Sequence, residues 1–367
     1  MAPGVATAAA GVAMLVLSPG GRILELAGWL WPTLLLILVG WSIRGARGSL
    51  HHWSRRALLY PALAVLALVA VGGAAETVAE ATTGNPAAAG RTYVVDGHSL
   101  YLDCVGTGAP TVVLFNGLGE RTPSWSWVQS GVSSTTRVCA FDRAGEGWSG
   151  TAPGAQDGHE LAADLHGLLA AAHVPPPYVL AGHSVGGTYA LVYAAQYPRQ
   201  IAGLALIDSS TPQQFDLPDY PRVYSVGRRL YSVLPSLART GVGRLTLGRG
   251  WAGLPPQARD DARAFAVSPR ELRSDRTEFA MLPTVFDQAK ELASLDAKPL
   301  AVLTADVGQQ RGWLAAQTAL ARLSTKSEHT IAHGATHTAL LEERRFAAIT
   351  ADTIVGVVHA AREGRTG

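Results

Sequence analysis

The sequence predicts an α/β fold with a mostly parallel sheet flanked by helices, preceded by N-terminal transmembrane helices. Three observations predict it. Long apolar runs lie in the first 80 residues, where few charges interrupt them. From residue 91 onward, short apolar strand patterns alternate with helix patterns. Between one such strand and the next helix lies a serine flanked by glycines, Ser184, in the arrangement of a tight strand-to-helix turn.

The N-terminal 80 residues are predicted to form a membrane region. The chain is 48% hydrophobic and 16% charged, and much of the apolar excess lies here. Residues 23–41 are interrupted only by Glu25 and Pro32, and residues 57–75 carry no charge. Each run is close to the roughly 20 residues that cross a bilayer. A shorter apolar run at residues 5–17 leaves a third span open.

The charges between the two clear runs predict their orientation. Four arginines lie between residues 44 and 56, and basic loops stay on the cytoplasmic side. Glu76 and Glu80 flank the far end of the second run. Everything after about residue 80 is therefore expected outside the cytoplasm, beyond a small, polar linker at residues 81–90.

The remaining chain alternates strand and helix patterns, which favours parallel strands joined by helices. Asp96-Gly97 separates the first two strand patterns and predicts a β-hairpin. Strands are predicted at residues 92–95, 99–104, 111–115, 137–141, 177–181, 203–207, 300–304 and 328–331. Helices are predicted at residues 159–173, 187–197, 222–239, 260–266 and 343–361.

The segment Gly182-His183-Ser184-Val185-Gly186 matches the pattern G-x-S-x-G. In that turn the serine adopts a strained backbone conformation, and side chains at the two glycine positions would crowd it. The strand before it and the helix after it supply the context that the pattern requires.

Four blocks in order carry a resemblance to a known family. They are Asn116-Gly117-Leu118-Gly119, residues 141–149, residues 182–187 and Thr336-His337. Over residues 91–362 the chain resembles the α/β-hydrolase superfamily. The apolar runs and the polar segment after them place a membrane region at 1–80 and a linker at 81–90. For the remaining chain, the resemblance implies a core at 91–210, a helical cap at 211–296 and the rest of the core at 297–367.

The resemblance also implies roles for individual residues. Ser184 is the expected nucleophile and His337 the expected base, in preference to His333. The backbone N–H groups of Leu118 and Val185 are expected to form the oxyanion hole. Most relatives carry His-Gly where this chain has Asn-Gly, which leaves the bracing of that loop open.

The acid that orients the base has two candidates. The usual position after the seventh strand is Gly308 here, and Asp306 lies two residues earlier. Asp208 follows the sixth strand, where haloalkane-dehalogenase-like relatives carry their acid. We favour Asp208 and keep Asp306 as the alternative.

Two further features stay open at this point. Cys104 and Cys139 fall on strands expected to be neighbours, so a disulfide is feasible, but two buried thiols are slightly favoured because a cross-strand bridge needs a special geometry. The aromatic side chains of residues 211–296 either line a hydrophobic substrate pocket or form the core of the cap itself.

These observations predict a membrane-anchored serine hydrolase of the cell membrane, with its catalytic domain extracytoplasmic, that cleaves a small, apolar carboxylic ester. A peptidase or thioesterase of the same fold, or a non-catalytic binding protein, is the alternative. No metal or organic cofactor is expected. The net charge of +2 gives no reason to expect a nucleic-acid partner.

Overall fold

The computed structural model describes residues 21–49, 53–83, 88–152, 154, 156–246 and 250–364. The apolar run at residues 5–17 lies outside them. The described residues form two compact units. The first contains the described part of Met1–Gly84 with Leu234–Gly248 and Val267–Arg270. The second contains Asn85–Val233, Arg249–Ala266 and Glu271–Gly367.

Two long helices, α1 (Gly21–Ser49) and α2 (Trp53–Thr83), pack against each other in the first unit. Their segments Trp29–Arg47 and Leu59–Thr82 are long and apolar enough to cross a membrane. Most side chains of both segments are exposed, which distinguishes them from helices in the core of a soluble domain. Helix α2 continues to Thr83 and so extends into the predicted linker.

The first unit also holds a segment that lies far along the chain. Helix α7 (Val242–Thr246) contributes Arg244, whose guanidinium donates two hydrogen bonds to the carboxylate of Glu76, at 2.6 and 3.0 Å. The carbonyl of Thr240 lies so close to Gly72 that a Cβ atom there would come within 2.2 Å of it. This segment is therefore packed directly on α2.

The second unit is built on one eight-stranded sheet with the order β1-β2-β4-β3-β5-β6-β7-β8. Strands β1, β2 and β4 pair antiparallel, and all other pairs are parallel. Asp96 and Gly97 form the turn between β1 and β2 with positive φ angles, as an Asp-Gly hairpin requires. The strands are Arg91–Val95, His98–Val105, Thr111–Phe115, Val138–Asp142, Tyr178–His183, Ile201–Ile207, Leu300–Val307 and Ser327–Thr336.

Helices cover both faces of this sheet, so its central strands are apolar on both sides. On one face, Val113 and its neighbours pack against α4 (Gly158–Ala171) and α5 (Val185–Gln196). On the other, Val112 and its neighbours pack against α3 (Ser126–Ser133) and α12 (Arg344–Glu363). Two short helices, α10 (Trp313–Ala321) and α11 (Ala339–Glu342), lie after β7 and after β8.

The insert between β6 and β7 is mostly helical. It contains α6 (Tyr220–Ala238), α7, α8 (Pro256–Ala266) and α9 (Pro269–Ala289). The sequence does not predict α9, because Pro283 and a run of charges interrupt its apolar pattern. Its second half nevertheless packs into the core, where Val285 and Phe286 are fully buried.

The two cysteines form a disulfide. Cys104 on β2 and Cys139 on β4 are direct partners in the antiparallel pairing of these strands. The expectation of two buried thiols is therefore wrong. The reason is register: the sequence places both residues on neighbouring strands, but only the pairing shows that they face each other.

Candidate active site

Ser184 lies at the turn between β5 and α5, where the backbone is strained. Its φ of 55° and ψ of −128° fall in a region that residues with side chains rarely adopt. A Cβ atom at Gly182 would approach the backbone of Gly186 and Gly187, at 2.4 Å from the nearer atom. A Cβ atom at Gly186 would lie 2.2 Å from the carbonyl oxygen of Phe115. The two glycines are thus what allows the chain to turn here.

The structure brings Asp208 and His337 together. Oδ2 of the fully buried Asp208 lies 2.6 Å from Nδ1 of His337. The same carboxylate accepts hydrogen bonds from Trp313 Nε1 (2.7 Å), Gln309 Nε2 (2.9 Å) and the N–H of Ala305 (3.2 Å). Burial opposes the charge of Asp208, but the hydrogen bonds and His337 outweigh it and lower its pKa. An ionised Asp208 keeps the proton of His337 on Nδ1 and leaves Nε2 as a base.

Asp306, the alternative acid, has a different partner. Its carboxylate lies 2.9 Å from Nδ1 of His333 and accepts the N–H of Gly334 at 2.8 Å. The hydrogen bond from His333 lowers the pKa of Asp306. This pair is solvent-exposed, whereas the carboxylate of Asp208 is buried against His337. The two candidate acids therefore contact different histidines, and His337 is the partner of Asp208.

The loop after β3 is braced by side chains that sequence reasoning did not assign. Asn116 donates to the carbonyl of Phe141 at 2.8 Å and accepts from Trp125 Nε1 at 2.9 Å. The N–H of Gly117 donates to Oε2 of Glu120 at 2.6 Å. Glu120 lies three residues after Gly117, so this contact is local in sequence and could have been predicted from the spacing. Asn116 thus anchors the loop through its side chain.

The two expected oxyanion donors lie on different elements. Val185 is the first residue of α5, where backbone N–H groups lack a partner within the helix. Leu118 lies on the braced loop, next to Gly119, whose φ of 76° suits glycine.

His183 links the braced loop to His337. Its Nδ1 lies 2.5 Å from Oε1 of Glu120, and its Nε2 lies 3.1 Å from the carbonyl oxygen of His337. Both contacts are to acceptors, so both ring nitrogens carry protons. Burial opposes the charged forms, but the Glu120 carboxylate raises the pKa of His183 and the His183 charge lowers the pKa of Glu120. The pair is an internal salt bridge beside His337, whose ring centre lies 4.3 Å from that of His183.

Arg143 holds the same loop from the opposite side. Its guanidinium donates to the carbonyl oxygens of Asn116 (2.6 Å) and Gly117 (3.1 Å). It is itself paired with Glu146 at 3.2 Å and with Glu278 of α9 at 2.9 Å. Burial, which the charge of Arg143 offsets only in part, raises the pKa of Glu278 well above its usual range. A helix of the insert is thus connected through one guanidinium to the loop that carries Leu118.

A second buried arginine reinforces this connection. Arg121 pairs with Glu271 and Asp275 of α9, both at 2.6 Å. Oxygens of Glu146, Asp275 and Glu278 lie within 4.8 Å of one another, which is close enough for a metal ion. Arginine side chains already neutralise these carboxylates, so the geometry fits an ion-pair network that holds α9 on the core.

Solved structures of several hydrolases share this architecture. A thermophilic esterase from Thermogutta terrifontis aligns with a TM-score of 0.55 and 23% identity, over 74% of this chain and 98% of the esterase. The enol-lactonase from Burkholderia xenovorans aligns with a TM-score of 0.55 and 21% identity, over 73% and 100%. A putative lipase from Acinetobacter baumannii aligns with a TM-score of 0.59 and 20% identity, over 75% and 92%. At these identities the likeness shows the fold alone.

Sequence comparisons lead to the same family. Residues 110–246 match the family described as alpha/beta hydrolase fold. The chain is 29% identical over 128 residues to the uncharacterised protein YbdG of Bacillus subtilis, covering 34% of this chain and 39% of that protein. It is 30% identical over 151 residues to the putative carbamate hydrolase RutD of Cronobacter turicensis, covering 38% and 56%. The chain thus spans only part of the length of these curated relatives.

The sheet, its flanking helices and the matched segment together define the α/β-hydrolase fold. The predicted fold class is therefore confirmed.

The two candidate acids differ in a way that mutation can test. We expect Asp208→Asn to lower ester turnover on the order of 10³- to 10⁴-fold, because the amide no longer holds the required tautomer of His337. Asp306→Asn should change turnover less than about threefold, because its partner His333 is exposed. Hydrolysis of a p-nitrophenyl ester by both variants measures this, with circular dichroism as a folding control. A larger loss in Asp306→Asn would contradict the assignment.

The bracing of the loop after β3 makes a separate prediction. We expect Glu120→Ala to lower kcat about 10- to 100-fold with little change in KM, because the N–H of Gly117 and the charge of His183 both lose their partner. Glu120→Gln keeps an acceptor for Gly117 and should lose less. Exposed Glu328→Ala is the matched control. Equal kcat for Glu120→Ala and the wild type would show that the loop does not depend on this carboxylate.

Proposed function

We propose that this protein is a membrane-anchored serine hydrolase that cleaves a small, apolar carboxylic ester. The observation that carries the proposal is the 2.6 Å contact between buried Asp208 and His337, in a domain whose Ser184 occupies a strained strand-to-helix turn. A non-catalytic protein would have no need to keep a strained serine and a buried carboxylate–histidine pair together.

The proposed mechanism assigns one step to each group. Oγ of Ser184 attacks the ester carbonyl carbon while Nε2 of His337 takes the serine proton. The N–H groups of Leu118 and Val185 stabilise the negative oxygen that forms. His337 then returns the proton to the leaving alcohol. A water molecule, activated by the same histidine, attacks the acyl-enzyme and releases the carboxylic acid.

We propose an apolar substrate because the insert between β6 and β7 is rich in aromatic side chains. The ring of Phe215 lies 5.1 Å from that of Tyr224, which stacks on Phe279 at 5.2 Å. Part of this aromatic surface is therefore the insert's own core. The esterase and the enol-lactonase among the structural neighbours support an ester, and the putative carbamate hydrolase among the relatives makes a carbamate the second bond to assay.

Three observations support the membrane anchor and an outer location of the hydrolase domain. The apolar segments of α1 and α2 are mostly exposed. Four arginines lie between residues 44 and 56, in the segment that connects the two apolar runs, and basic segments of this kind are expected in the cytoplasm. The disulfide between Cys104 and Cys139 suits an oxidising compartment.

Active-site labelling tests the proposed nucleophile. We expect a fluorophosphonate probe to label the wild-type protein and to leave Ser184→Ala unlabelled, because the probe needs an activated serine. Ser225→Ala, an exposed serine of α6, serves as the matched control and should label like the wild type. Absence of labelling in the wild type, or equal labelling of Ser184→Ala, would reject the serine-hydrolase proposal.

Reporter fusions test the orientation. Alkaline phosphatase fused after Gly367 should be active in bacterial cells and green fluorescent protein at the same position should be dark, because the first requires export and the second folds in the cytoplasm. The reverse pattern would place the hydrolase domain inside the cell.

A further inference from the structure

Helix α6 has two apolar faces, and only one of them is covered. On the inner face, the rings of Tyr224 and Tyr231 stack on Phe279 of α9, at 5.2 and 4.7 Å. Ala238 continues this face and is buried. These contacts account for the inner face as part of the protein core.

The second face, which we call the outer face of α6, is exposed along the whole helix. Its five aliphatic residues recur at spacings of three and four, which places them on one side of the helix. Each is between 47% and 59% exposed. The residues of the outer face are Val223, Val226, Leu230, Val233 and Leu237. A continuous apolar stripe of this kind marks a surface that contacts something other than water.

The charged residues of α6 itself are all positive. From residue 220 to residue 246 the chain has five arginines and no aspartate or glutamate. Arg222, Arg228 and Arg229 lie on α6 itself and are exposed. An apolar helix face flanked by arginines is the composition that binds the surface of a bilayer containing anionic phospholipid. A second copy of the chain fits less well, because a symmetric contact would bring the same arginines together.

The end of α6 continues into the unit that contains the proposed membrane helices. Residues 234–238 belong to that unit with α1 and α2. Thr240, two residues beyond α6, lies against Gly72, and Arg244 pairs with Glu76. Both contacts involve the second half of the apolar segment Leu59–Thr82. The C-terminal end of α6 therefore belongs to the same compact unit as a candidate membrane span.

We propose that α6 lies in the interface of the bilayer, with its outer face among the upper acyl chains and its arginines at the phosphate groups of anionic lipid. The proposal rests on the membrane anchoring proposed above. It makes the cap helix, and not only the two N-terminal helices, a lipid-contacting part of the molecule.

Spin labels on single cysteines test the proposal, because Cys104 and Cys139 are bonded to each other and leave introduced thiols selectively reactive. The full-length chain is placed in nanodiscs of phosphatidylcholine with phosphatidylglycerol. Labels are introduced by Val226→Cys and Leu230→Cys on the outer face. Val65→Cys on α2 is the control for lipid, and Ile349→Cys on α12, also an exposed aliphatic residue, is the control for water.

We expect labels at 226 and 230 to favour dissolved oxygen over a water-soluble nickel complex, by a collision ratio on the order of tenfold above that at 349. Introducing Arg228→Glu and Arg229→Glu together should lower this ratio at 230. If the label at position 230 gives the same collision ratio as the water control at 349 while the label at 65 lies in lipid, the proposed contact of α6 with the bilayer is wrong and the membrane anchor stands. If the label at 65 is also in water, both the contact and the anchor are wrong.

Two further outcomes are separated on the same samples. Dipolar broadening at 230 that disappears on dilution with unlabelled protein would assign the outer face to a second copy and overturn the proposal. Fluorophosphonate labelling of each sample reports the proposed hydrolase separately, so its loss would not be mistaken for loss of membrane contact.

Discussion

The buried carboxylate of Asp208 is the point on which the candidate site depends. It receives hydrogen bonds from the end of β7, from α10 and from the loop after β8. The donors lie 97 to 129 residues after Asp208 in the sequence, and the two oxygen atoms of one carboxylate fix where they lie relative to one another. Because a buried carboxylate without donors would be costly, each of these contacts also stabilises the ionised form that His337 requires.

A second buried electrostatic network extends this arrangement to the insert. Arg143 contacts the carbonyl oxygens of the loop after β3, and Glu278 of α9 contacts Arg143. Buried ion pairs of this kind add little net stability, since desolvation offsets much of their attraction. Their contribution is geometric: a guanidinium has a fixed shape, so α9 and the loop must adopt one relative position for all its hydrogen bonds to form.

The local parts of this structure could be predicted from the sequence, and the non-local parts could not. The Asp96-Gly97 hairpin and the turn at Ser184 follow from backbone requirements of a few adjacent residues. Helix α9 was not predicted because its acidic residues can be buried only when they pair with Arg121 and Arg143, which lie on other loops. The disulfide depends on strand register, which no local pattern contains.

The cross-link between Cys104 and Cys139 has a mechanical consequence for the proposed tethering of this domain through its N-terminus. Any pull from the tether enters the sheet through β1 and passes around the hairpin into β2. It reaches Cys104 just before β2 ends, and there a covalent bond to β4 takes the load. Such a force can thus detach β1 and most of β2 from the sheet. The disulfide stops this separation before it reaches the parallel strands that are followed by Ser184, Asp208 and His337.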